Sequence, residues 1–106
     1  MLRFILHYGI HFVVPILIAF FFFKEHRLKV SLILLAGILL DVDHLLADPI
    51  FDADRCSIGF HPLHTYWAIA VYFLMLFWKT TRIWGIAFLI HMIADLTDCL
   101  FIRFNF

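Results

Sequence analysis

The sequence predicts an all-α fold, a four-helix transmembrane bundle, and three observations carry that reading. Of 106 residues, 65% are hydrophobic and only 15% charged, with a mean hydropathy of +1.01. A soluble domain carries about 25% charged residues, so too little polar surface remains to coat a small globule in water. The apolar residues fall into four stretches, each near the roughly 17–25 residues that a helical span needs. The chain also lacks the alternating ten-residue segments of a membrane β-barrel, and four strands could not close one. The same numbers exclude a disordered chain, which would be apolar-poor and highly charged. A formal net charge of zero supplies no basic footprint for nucleic acid. The expectation is one integral membrane domain, residues 1–106.

The first span runs from about Phe4 to Phe23 and contains His7, His11 and Pro15. It is too long for a signal peptide, and no small-residue cleavage site follows it. Pro15 removes the helical bond to the His11 carbonyl and is expected to loosen the span there. The second span covers Val30 to Ala47. The third, about 63–78, begins at the turn Pro62–His64, where Pro62 suits a first helical turn. The fourth covers Ile83 to Ile102.

The connections differ in charge. Lys24, Arg27, Lys29, Lys79 and Arg82 gather on one side, against Arg3, Arg55 and Arg103 on the other, which also holds the acidic loop with Asp48, Asp52 and Asp54. The positive-inside rule then puts both termini and the 48–62 loop on the non-cytoplasmic side. Cys56 and Cys99 fall toward that side, where an oxidising compartment permits a disulfide. Two unpaired thiols, one in a loop and one in a helix, is the alternative that the sequence leaves open.

Up-and-down threading brings ten ionisable groups to one layer: His7 and His11; Asp41, Asp43 and His44; His61 and His64; His91, Asp95 and Asp98. At 1.5 Å rise per residue most lie within roughly 5–16 Å of the outer helix ends. Spacings of three, four and seven put the members of each set on one helix face. Asp43 is the exception, pointing away from Asp41 on an ideal α-helix. An Asp at the centre of a span costs about 2.5–3.5 kcal/mol, so several unpaired ones cost on the order of ten. Three outer arginines cannot balance five carboxylates, and a divalent metal supplies the missing charge. Imidazole with carboxylate is ligand chemistry for zinc, and also for manganese or iron. His7, His11, Asp41, His44, His64, His91 and Asp95 are the candidate ligands of one or two ions. Asp43 or Asp98 is the candidate general base or bridging carboxylate, and His61 a ligand or proton donor. Helix direction adds to this, because spans two and four present C-terminal ends that favour cations. Spans one and three present N-terminal ends that favour an anion such as phosphate.

The pieces Leu40-Asp41-Val42-Asp43-His44, His61-Pro62-Leu63-His64-Thr65 and His91-Met92-Ile93-Ala94-Asp95, after an early His in span one, resemble a known pattern. It is similar to the bacterial inner-membrane family of predicted metal-dependent hydrolases, LexA-regulated in some members and distantly likened to zinc-dependent phospholipases C. The family typically has His-Arg-Gly followed by Thr-His-Ser, where this chain has two His only three apart. The resemblance implies metal binding in a bacterial inner-membrane protein, and the charge bias of the connections puts the site on the periplasmic side.

The leading expectation is therefore a metal-dependent hydrolase acting at the outer leaflet on a lipid-linked or headgroup phosphate ester, with Arg55 able to steer an anionic headgroup. A homo-oligomer could complete the pocket. Two other classes compete: a non-catalytic metal sensor, carrier or transporter subunit, and a b-type haem protein using His7 or His11 with His91. The apolar inner half of the spans speaks against a conducting path in a monomer, and the adjacent Asp residues suit a divalent ion better than a porphyrin.

Overall fold

Four helical rods make up the described residues, 2–47 and 55–104, of the computed structural model. Helix α1, Leu2–Phe22, is α-helical at both ends and π-helical over Gly9–Val13. Helix α2, residues 27–46, is α-helical over Arg27–Leu35 and a 3-10 helix over Ala36–Leu46. A 3-10 turn, Pro62–His64, leads into α3, Tyr66–Phe77. Helix α4, Arg82–Phe104, is unbroken. The described chain is thus all-α. The expected loop residues Asp48, Asp52 and Asp54 lie outside the described residues.

Two of these helices, α1 and α4, are long and apolar enough to cross a membrane. The other two depart from the expected spans for physical reasons. Thr65 is extended, with φ −76° and ψ 162°, and its hydroxyl accepts from the Ala68 N–H, so the helix restarts at Tyr66. What remains of α3 rises only about 20 Å. Helix α2 has the length, but it carries Arg27, Lys29, Asp41 and Asp43 within its turns.

Helix α4 is the axis against which the other three pack. It runs antiparallel to α1, with Arg3 beside Asp98 and His7 beside Ala94. Close approach depends on small residues. A Cβ on Gly37 would stand 2.7 Å from the Ala87 carbonyl oxygen, and one on Gly85 would stand 2.8 Å from that of Tyr72. Backbones in contact at small residues are the usual way membrane helices associate. Ala19, Val30, Leu34, Ala87 and Ile90 form the larger apolar core, and Leu40, Tyr72 and Met92 a smaller cluster.

The basic connections share one end, where Phe23, Lys79 and Arg82 line a common hollow. Arg27 donates to the Phe20 carbonyl at 3.1 Å, and Arg82 to that of Leu76 at 2.8 Å. Each thus satisfies a carbonyl that the end of the preceding helix leaves open. At the opposite end Cys56 and Cys99 form a disulfide, with Cα atoms 4.8 Å apart. It ties the segment that leads to His61 onto α4. Gly59, at φ +81°, turns that segment in a conformation other residues rarely adopt, and its N–H reaches the His64 carbonyl.

Candidate metal centre

Histidine fills the end of the bundle that the apolar core leaves. His61, His64 and His91 are among the largest fully buried side chains, and His11, Asp43 and Asp95 are buried with them. Local irregularities in α1 and α2, and the 3-10 turn before α3, bring these groups together. In α1 the Val14 N–H bonds back to the Gly9 carbonyl, five residues away. Gly9 is a weak helix former and Pro15 offers no N–H, so the helix widens where it carries His11. The rings of His7 and His11 stand 4.5 Å apart, edge to face.

In α2 the 3-10 pitch changes which residues share a face. At three residues per turn, i and i+3 eclipse. Gly37, Leu40 and Asp43 form the buried row, while Asp41 and His44 stack on another, 3.2 Å apart from Oδ1 to Nε2. Asp43 was expected to point away from Asp41 on an ideal helix and to join the site only if the helix loosened or a neighbouring helix met it. The helix tightens, and the Pro62–His64 turn meets Asp43. Its Oδ2 accepts from the Leu63 N–H at 2.9 Å and from His64 Nδ1 at 2.8 Å. The Tyr72 hydroxyl donates to the Leu63 carbonyl at 2.7 Å and pins that turn to α3.

Two groups of potential metal ligands result, and both include Asp95. The tight one joins Asp41, His64, His91 and Asp95. Asp95 Oδ2 lies 2.9 Å from His64 Nε2 and 3.2 Å from His91 Nε2. Asp41 Oδ1 lies 3.0 Å from His91 Nε2 and 3.6 Å from His64 Nε2, and the two Nε2 atoms are 3.1 Å apart. Donors bound tetrahedrally at 2.0–2.1 Å stand about 3.3 Å from one another, so these separations suit one small divalent ion. The looser group joins His7 and His11 to Asp95 Oδ1, with Nε2 at 3.9 and 3.7 Å.

Proton positions follow from the partners. Asp43 is an acceptor, so His64 Nδ1 carries the hydrogen and the Nε2 lone pair faces the group. The Ala94 carbonyl accepts from His7 Nδ1 at 3.2 Å and fixes that ring the same way. Carboxylates and carbonyls in this position are what hold metal-binding imidazoles elsewhere. His11 Nε2 and Asp95 Oδ2 are buried without a hydrogen-bond partner among the described residues. Convergent lone pairs in a dry site repel one another without a cation, so the residues fit a metal ion.

The family described as "Family of unknown function (DUF6122)" matches residues 1–102. The chain belongs to that family. No curated protein and no solved structure matches it. In this DUF6122 chain, six of the seven expected ligands fall into the two groups. His44 stands outside both, against Asp41. His61 packs its ring 4.1 Å from that of His44, and burial, with the His44 ring beside it, lowers the pKa of its imidazole. Asp98 lies apart, accepting from Arg3 Nε at 2.7 Å. The carboxylate between the two histidine sets is Asp95, where Asp43 or Asp98 was expected. A cleft of about 100 Å³ opens onto the site, lined by His7, His11, Asp41 and Asp95, with Arg3 and Arg55 in its wall. The part of Arg3 had no local sequence signal, because its partner is 95 positions away.

Proposed function

We propose that this chain is an integral membrane metal-dependent hydrolase acting on a phosphate ester carried by a lipid or its headgroup. One observation carries the reading: convergent His and Asp donors form the floor of a cleft whose wall holds two arginines. A bound zinc, manganese or iron ion would activate water near neutral pH and polarise a phosphoryl oxygen. The chain's own residues do the rest. Asp43 and the Ala94 carbonyl keep His64 and His7 in their ligand tautomers. The Arg55 guanidinium in the cleft wall offers positive charge to an anionic headgroup, while that of Arg3 is paired with Asp98. His44, which lines the cleft beside Asp41, is the side chain placed to carry a proton.

The membrane part of the proposal is a four-helix transmembrane bundle, with both termini and the cleft on the periplasmic side of the bacterial inner membrane. Its support is the apolar surface. Phe21, Phe22, Leu39, Leu45 and Phe73 are all more than half exposed, which a soluble monomer does not tolerate over so much area. Tyr66 and Trp67 stand out at the cleft end of α3 and Trp78 at its other end, as interfacial aromatic residues do. The disulfide supports an oxidising compartment at the cleft end.

A second reading, a non-catalytic metal-binding protein, is favoured by the tight group. Four protein donors are the complement of a closed structural ion, whereas a catalytic zinc keeps a position open. Detergent-purified protein, assayed for metal by mass spectrometry and for hydrolysis of a panel of lipid phosphomonoesters and phosphodiesters, separates the two. Stoichiometric metal with chelator-sensitive turnover is the expected result. Stoichiometric metal without turnover of any panel member favours the second reading, and no metal removes both.

A further inference from the structure

We propose that the chain holds two divalent cations that share the Asp95 carboxylate. The closed site is Asp41, His64, His91 and Asp95 Oδ2; the open site is His7, His11 and Asp95 Oδ1. The inference rests on the metal-dependent reading above and assigns its sites and their unequal roles.

The division of Asp95 is the first argument. Its two oxygens face different histidine pairs, Oδ2 toward His64 and His91, Oδ1 toward His7 and His11. The second pair is not explained by hydrogen bonding. Separations of 3.7 and 3.9 Å are too long for N–H···O bonds. His11 is 6% exposed, and its Nε2 has no hydrogen-bond partner among the described residues. A buried imidazole nitrogen left this way is destabilising unless a ligand takes its lone pair.

Donor count then gives the sites different roles. Four protein donors complete the coordination of an ion in the first site, where His64 and His91 are shut away from solvent and Asp41 reaches the cleft, its side chain 33% exposed. Three donors leave the second with room for water or substrate oxygen. Its His7 side chain is 19% exposed and lines the cleft. Both sites carry an imidazole fixed by an acceptor, Asp43 for His64 and the Ala94 carbonyl for His7.

Charge points the same way. Asp98 is neutralised by Arg3, so Asp41, Asp43 and Asp95 remain at the centre. With the Arg55 guanidinium in the cleft wall counted, a single dication brings these carboxylates only to neutrality, whereas two dications leave the centre positive and able to attract a phosphate.

The test is manganese titration of the full chain in detergent micelles, read by electron paramagnetic resonance. Wild type should bind two ions per chain and show the signal of an exchange-coupled pair. His7→Ala/His11→Ala should bind one uncoupled ion, and Asp95→Asn should lose the coupling. If the double variant does not keep its helical circular dichroism, the partly exposed single change His7→Gln replaces it, with an expected loss of at least 10-fold in affinity for the second ion. One ion in wild type, with phosphoester turnover intact, overturns the shared carboxylate and leaves the hydrolase reading standing. A coupled pair that survives His7→Ala/His11→Ala also overturns it, as does unchanged second-ion affinity in His7→Gln. No bound ion at all overturns both.

Discussion

The two ends of this bundle solve the same packing problem by opposite means. At the basic end, Ala19, Val30, Leu34, Ala87 and Ile90 close a small, apolar core, and the helices meet through residues too small to hold them apart. At the other end, His11, Asp43, His61, His64, His91 and Asp95 are buried beside a smaller apolar cluster of Leu40, Tyr72 and Met92. The first core is held by dispersion and shape and needs nothing from outside. The second gathers acceptors and lone pairs in a dry volume, an arrangement that opposes assembly until a cation joins it. One half is therefore an apolar scaffold, and the other holds the groups that could bind a metal ion. Helix α4 carries both: its buried residues through Ile90 are apolar, and beyond that His91 and Asp95 are buried among Met92, Ala94 and Cys99.

The sharpest way to break this comparison is to remove metal. An ion bound a thousandfold above its dissociation constant stabilises the fold by about 4 kcal/mol. Chelation should remove that and lower the melting temperature by on the order of 10 °C or more. Hydrogen exchange should show the loss at Ala36–Leu46 and around His61–His64, while amides near Ala19, Leu34 and Ala87 keep their protection. Equal loss at both ends would mean that they are not separate cores.

The reverse experiment perturbs the scaffold and spares the ligands. Gly37→Ala places a methyl 2.7 Å from the Ala87 carbonyl oxygen. The backbones must part, at a cost of about 1–3 kcal/mol. Metal stoichiometry should not change, because Asp41 and Asp43 lie beyond the point of contact. A variant of wild-type stability would show that α2 and α4 do not depend on that approach.

Asp43→Asn probes the boundary between the two. The amide keeps the shape but accepts from His64 Nδ1 as a neutral group. Metal affinity should fall about 10- to 100-fold, with little change in stability of the apolar half. Unchanged affinity would make Asp43 a packing residue only.

What the sequence made legible follows the same division. Apolar runs, charged connections and up-and-down threading were enough to anticipate four helical segments and the convergence of His and Asp at one end. Pro15 marked the loosened turn beside His11. Less visible was anything that depends on departures from α-helical pitch. Residues 36–46 read as ordinary helix, and only the 3-10 geometry, with Gly37, Leu40 and Asp43 in register, turns Asp43 toward His64. The central place of Asp95 was hidden for another reason. Three carboxylates near one another have interchangeable sequence signals, and only the pairing of Asp98 with Arg3 across 95 residues removes one from the centre. The disulfide was one of two open readings, since spacing alone does not bring a loop cysteine to a helix.

The smallest expected effect lies at the rim of the polar half and distinguishes a buried neutral histidine from a ligand. Burial, with the His44 ring beside it, holds the His61 imidazole below its ordinary value of about 6.5. The unfolded chain therefore binds a proton at this position before the folded chain does. Stability rises with pH wherever the unfolded state holds more protons. The His61 contribution is thus complete at neutral pH and is lost as pH falls from about 6.5 toward the lowered folded value. A single group limits the slope to about 1.4 kcal/mol per pH unit. His61→Gln removes this titration, so its stability between pH 7 and 5.5 should fall less steeply than that of wild type. Denaturation of both proteins in chelator cancels the other histidines, which the two share. Parallel slopes would mean that His61 titrates alike in the folded and unfolded chains, and the polar half would then be less dry at its rim than its burial implies.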